Sequence, residues 1–156
     1  MLFDATTGKR VKEPLPHITW YHKVGSGPDF KYKQCIFGEH LLRDKSKPVA
    51  IVEAEKTALV ASVYLPGLIW LAAGSEDGLN REKCQVLNGR NVILFPDLSW
   101  DGRAVRKWSH KAKELSYITT FTVSDYLERI ATPEDREKGK DLEDFLLRYD
   151  YREFHM

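Results

Sequence analysis

Cysteine is scarce in this chain of 156 residues. Its two cysteines, Cys35 and Cys84, lie far apart and show no Cys-x-x-Cys spacing. That excludes a thiolate zinc site and leaves two reduced thiols as the plain reading. Long apolar runs are missing as well. The longest, residues 65–73, is too short to span a bilayer and is interrupted by Pro66 and Gly67. The opening MLFDATTGKR has no basic segment followed by an apolar run, so it lacks the pattern of a secretory signal. Together these absences predict a cytoplasmic chain with no membrane partner. Charge of one sign is not in excess either: 24 Lys and Arg against 23 Asp and Glu give a formal net charge of +1. Composition therefore argues for neither nucleic acid nor membrane, and local charge must carry any such claim. No Gly-x-Ser-x-Gly, P-loop or Gly-x-Gly-x-x-Gly is present, which argues against hydrolase, NTPase and dinucleotide chemistry. His17, His22, His40, His110 and His155 show no paired metal-ligand spacing.

The residues that are present divide into two textures. Residues 1–47 hold Gly8, Pro14, Pro16, Gly25, Gly27, Pro28 and Gly38 between short aromatic pieces. They predict a small irregular region with two or three short strands, one over residues 17–23 (HITWYHK). The strand-like opening at residue 2 suggests a fragment or a shortened relative of a longer protein. From Pro48 the pattern becomes regular. Residues 49–53, 68–73, 91–96 and 117–123 read as strands, and residues 55–65, 79–88 and 102–115 as helices between them. Strands alternating with helices through short loops predict an α/β domain over residues 48–156 with a four-stranded parallel sheet. Near-continuous apolar strands fit a sheet covered on both faces. VSDYLERIA and DLEDFLLRYD add helices at the C-terminal end, with TPEDREKGK between them as a short charged helix or loop.

Ligands of an open parallel sheet gather beyond the C-terminal ends of its strands. Glu53 ends the first strand, Asp97 follows the third, Asp77 lies in the loop after the second, and Asp101 comes four residues after Asp97. Hard oxygen ligands at such an edge, with water completing the shell, suit Mg²⁺. The plainer alternatives are that Asp101 caps the following helix and that Glu55 favours the positive end of the helix it opens.

These stretches resemble the motifs of the Toprim domain of primases, topoisomerases, recombination-repair proteins and some nucleases. VAIVEAEKTALVA resembles the first motif, a strand leading into Val-Glu-Gly-Glu and a helix; Glu53 matches its glutamate and Ala54 replaces the usual glycine. AAGSEDGLN resembles the next strand end, with Gly74. VILFPDLSWDGRAVRKW resembles the second motif, a strand ending in Asp-x-Asp-x-x-Gly, with Asp97 in the first aspartate slot, Ser99 in the second and Gly102 in the glycine slot. GKDLEDFLL resembles the Gly-Lys-Asp-x-x-Asp segment of primase-type members. The match spans about residues 48–148. TTGKRVK and FGEHLL are similar to Toprim-like proteins of unknown function from mobile elements of gut bacteria. The resemblance implies a Toprim-like sheet and Mg²⁺-dependent phosphoryl transfer on DNA or RNA, nuclease-like or primase-like. Glu53 and Asp97 would then be catalytic, with Glu53, Asp97 and Asp101 as metal ligands. Ser99 removes one carboxylate, so Mg²⁺ is expected to be weak or absent in the isolated chain. The alternative is a catalytically degenerate module that binds nucleic acid or another replication or mobilisation protein.

Residues 102–115 are amphipathic. Ala104, Val105, Trp108, Ala112 and Leu115 share the face expected against the sheet. Arg103, Arg106, Lys107 and Lys111, with Lys113, lie largely opposite, a candidate grip on a phosphate backbone with a solvated helix face as the alternative. KRVK (residues 9–12) with Trp20, Tyr21 and Lys23 is a candidate stacking surface for single strands, or the small region's core.

Overall fold

The computed structural model describes residues 2, 4–7, 11–13, 19–25, 27, 29–31 and 33–154. The chain forms two compact units, Met1–Gln34 and Cys35–Met156. In the first unit the backbone amide of Val11 donates to the carbonyl of Leu2. Its one described helix is α1 (Tyr21–Val24). A strand was expected over residues 17–23, but a helical turn occupies the described end of that stretch, and residues 17–18 lie outside the described residues. A strand needs a neighbour to pair with, and none of the described residues of this unit is in one.

The second unit is built on β1 (Val49–Val52), α2 (Glu55–Tyr64), β2 (Ile69–Ala72), α3 (Arg81–Cys84), β3 (Asn91–Leu94), α4 (Arg103–Glu114) and β4 (Thr120–Val123). Short helices α5 (Tyr126–Ile130), α6 (Pro133–Glu137) and α7 (Leu142–Leu146) follow. The sheet is four-stranded and wholly parallel, in the order β2–β1–β3–β4. This is the α/β architecture that the alternating pattern predicts. Residues 35–47 pack into this unit. Ile36 and Leu42 are buried in its core, and Phe37 forms an antiparallel bridge to Ala72 on the outer edge of β2.

Period-two alternation sorts each strand between two cores. Val49, Ile51, Ile69, Leu71, Val92 and Leu94 face one side, where Trp108 and Ala112 of α4 and Cys84 of α3 cover them. Ala50, Val52, Trp70 and Ala72 face the other, against Ala58 and Ala61 of α2, Leu127 of α5 and Leu142, Phe145 and Leu146 of α7. All four β1 residues are buried because the strand is central and covered twice. As expected from their spacing, Ala104, Trp108, Ala112 and Leu115 are buried, while Val105 is half-buried.

Polar groups fix the connections. Buried Arg90 donates to the carbonyls of Leu42, Asp44 and Lys47, pinning the approach to β1. The Thr57 hydroxyl donates to Asp141 at 2.6 Å and ties α2 to the start of α7. Among the described residues no helix is long and apolar enough to cross a membrane.

Candidate functional site at the C-terminal sheet edge

Parallel pairing sets Val49 opposite Val92 and Ile51 opposite Leu94. The ladder continues one step further, with the Phe95 amide donating to Ile51 at 2.8 Å. Glu53 stands one residue beyond β1, and Asp97 three residues beyond β3. Because β1 and β3 are neighbours, both residues emerge at the same edge of the sheet. Three hydrogen bonds fix this edge. The Gly74 amide donates to Glu53 at 2.9 Å, joining the β2 end to the β1 end. The Leu98 amide donates to Lys140 at 2.9 Å, joining the β3 loop to the chain ahead of α7. The Trp108 indole donates to the Glu76 carbonyl at 3.1 Å, joining α4 to the loop after β2. In that loop a side chain at Gly78 would place its Cβ 2.0 Å from the Ala73 carbonyl oxygen, so only glycine allows the chain to turn so tightly.

The charge of Glu53 acts on Asp97. Burial pushes Asp97 up to about 7, and the charges of Glu53, Asp141, Asp144 and Glu76 add to the effect. Glu53 is also raised, first by burial and then by Glu76 and Asp77; the Glu76 amide and the Lys107 ammonium oppose part of that rise. Both side chains are half-buried. Among the described residues Asp97 has no hydrogen-bond or ion-pair partner. Glu76 Oε1 is buried without a hydrogen bond, and its one ion-pair contact among the described residues is the Arg103 Nε at 3.9 Å.

The remaining candidates are otherwise engaged. The Ser99 hydroxyl oxygen accepts from the Ala104 amide at 3.0 Å and caps the start of α4. Gly102, in left-handed conformation (φ 69°), lets the chain turn into the helix there. Asp101 is exposed. Its Oδ1 accepts from the Arg103 amide at 3.0 Å and its Oδ2 lies 3.3 Å from an Arg106 nitrogen. The first of these bonds and the Arg106 and Arg103 charges hold its carboxyl below the usual range. The N-cap itself is Gly102, so Asp101 is not the capping residue expected; it stands one residue earlier and accepts from the first amide of α4. The basic residues of α4 also pair locally: Lys107 with Glu76 at 3.2 Å and Asp77 at 2.7 Å, and Lys111 with Glu114 at 2.9 Å. Such exposed or half-exposed pairs are worth at most ~1 kcal/mol each and can exchange for phosphate.

A cation fits this edge in part. The unpartnered, half-buried Asp97 carboxylate, its pKa raised by burial and by neighbouring carboxylates, calls for positive charge. Yet among the described residues no three His, Cys, Asp or Glu side chains come together as a metal-binding group. A site of two carboxylates completed by water would hold an ion weakly.

The fold and this edge define an α/β protein with a parallel sheet and a group of acidic residues at its strand ends. The chain belongs to the family described as Domain of unknown function (DUF6371), whose profile matches residues 1–98. The match includes Glu53 and Asp97 and stops before Ser99, Asp101 and α4. No curated protein and no solved structure gives a significant match.

Proposed function

We propose that the chain is a Toprim-like module that acts on nucleic-acid phosphate at the edge formed by Glu53 and Asp97, with Mg²⁺ held weakly there. The observation that carries this reading is the placement of Glu53 and Asp97 at neighbouring strand ends, where the Glu53 charge adds to the rise of Asp97; these are the two positions that the Toprim resemblance selects. Bound Mg²⁺ would neutralise charge on a phosphate oxygen. Asp97 and Glu53 would hold it. Glu53, whose pKa is raised by burial, is suited to give or accept a proton at its carboxylate oxygen. The partner would be DNA or RNA, together with other replication or mobilisation proteins of a mobile element.

A second reading is a binding module without chemistry. It is favoured by Ser99, whose hydroxyl serves as a helix cap where the resemblance calls for a carboxylate. Ser99→Asp separates the two. Aspartate is an equally good cap, so the variant should fold. Titration calorimetry should show Mg²⁺ binding tightened about tenfold, the scale of one added charge-assisted contact. Unchanged affinity would mean that this loop takes no part in a metal site. Cleavage of labelled oligonucleotides by wild type, lost in Glu53→Ala with binding retained, supports chemistry; binding without cleavage supports the second reading.

The α4 surface has its own test. Arg106→Ala with Lys107→Ala should reduce the log–log salt slope of oligonucleotide binding by up to roughly 2, as two phosphate contacts and their counterions are lost. Fluorescence anisotropy at several salt concentrations measures it. An unchanged slope would assign these residues to their pairs with Asp101, Glu76 and Asp77 alone.

A further inference from the structure

On the α2 and α7 side of the sheet a cavity of about 410 Å³ opens to solvent. Leu142 and Phe145 of α7 and Phe95 form part of its wall, and Tyr126 and Ile130 of α5 stand at its rim. This exceeds the packing voids of a protein interior, which rarely hold more than a water molecule, and lies within the range of small-molecule pockets. The aromatic residues are already arranged as walls. The ring of Phe154 stands edge-on to Tyr64 at 5.5 Å and to Tyr149 at 6.2 Å.

Among the described residues Arg148 is the only charged side chain lining the cavity. Its guanidinium lies 4.0 Å over the Phe145 ring and donates to Asp135 Oδ1 at 2.8 Å. The same oxygen accepts from Lys140 at 2.7 Å, while Oδ2 accepts from the amide and hydroxyl of Thr132. One carboxylate thus faces two cations, and a positive charge is left over beside an apolar cavity. The stack on Phe145 and the bond to Asp135 hold the guanidinium in place, so little side-chain freedom remains to be lost on binding.

We propose that this cavity binds a small, largely apolar anion, with an aromatic or aliphatic body against Phe95, Leu142 and Phe145 and its carboxylate, sulfonate or phosphate head on Arg148. The site goes beyond the function proposed above and uses neither Glu53 nor Asp97.

The test uses two fluorescent probes of one shape on the full chain: anilinonaphthalene sulfonate, which is anionic, and N-phenylnaphthylamine, which is neutral. Wild type should bind the anion saturably with one site per chain, and more tightly than the neutral probe. Arg148→Met should weaken the anion roughly tenfold or more and leave the neutral probe nearly unchanged, with Arg148→Lys recovering part of the loss. Neutral-probe binding also reports that the variant is folded. Ile130 is 44% exposed, so Ile130→Trp can extend into the cavity without disturbing the core, and it should displace both probes. Absence of saturable binding, an equal loss of both probes in Arg148→Met, or full binding by Ile130→Trp would overturn the proposal.

Discussion

Trp108→Ala should lower Tm by roughly 6–20 °C. Trp108 is fully buried in the core between α4 and the sheet. Truncating such a side chain costs about 3–5 kcal/mol, transfer and cavity terms together. In a domain of this size each kcal/mol is worth about 2–4 °C. The loss should reach the acidic edge as well, because the indole N–H holds the Glu76 carbonyl, and the Glu76 amide and carboxylate both act on Glu53. Trp108→Phe keeps most of the packing and removes the donor. It should cost about 1–3 kcal/mol, from the lost indole packing and the part-buried Glu76 carbonyl left without its donor. Differential scanning calorimetry with circular dichroism distinguishes the two. Equal small losses would mean that the core around Trp108 collapses onto the gap.

Asp97→Asn should stabilise the protein, and only where the wild-type carboxyl is charged. The folded-state value of Asp97, about 7, lies above the ordinary 3.8. Folding therefore takes up a proton between those values, and wild-type stability falls as pH rises across that window. Below it both states are protonated and the contribution disappears; above it the full penalty applies. The difference corresponds to about 4 kcal/mol at most, and about half of that is expected for a side chain that water still reaches. At pH 8 the variant should melt roughly 4–8 °C above wild type, with the gap closing as pH falls towards 4. Millimolar Mg²⁺ at pH 8 should raise Tm of wild type and leave Asp97→Asn unmoved. A variant less stable than wild type at pH 8 would mean that the Asp97 carboxylate has a stabilising partner.

The sheet was legible in the sequence because β1 and β2 are buried on both faces and read as unbroken apolar runs. The strand ends were less so. Residues 117–119 belong to the turn before β4, where the Thr119 hydroxyl donates to the Arg90 carbonyl instead of extending the ladder. The helix expected over residues 79–88 shrinks to α3 and a 3-10 turn, since Asn80 caps it by accepting from the Lys83 amide. Glu53 and Asp97 were recognisable because each lies within three residues of the end of an apolar strand. Glu76, Asp141 and Asp144 were not. Glu76 reaches the edge through a loop held by Trp108, and Asp141 and Asp144 through the docking of α7 on α2, and neither is a local property of the chain. The one early sign was the GKDLEDF stretch, which holds two of these three acids. Charge on α4 was visible in the sequence, but its pairing with Asp101, Glu76, Asp77 and Glu114 depends on side-chain reach across turns and loops.

The claim that Glu53 and Asp97 share one site is tested most directly by following the Asp97 carboxyl carbon through a pH titration by NMR. Wild type should titrate near 7, Glu53→Gln should move the midpoint lower by removing a neighbouring charge, and Mg²⁺ should lower it in wild type more than in the variant. A midpoint near 4 that ignores both Glu53→Gln and Mg²⁺ would contradict the account.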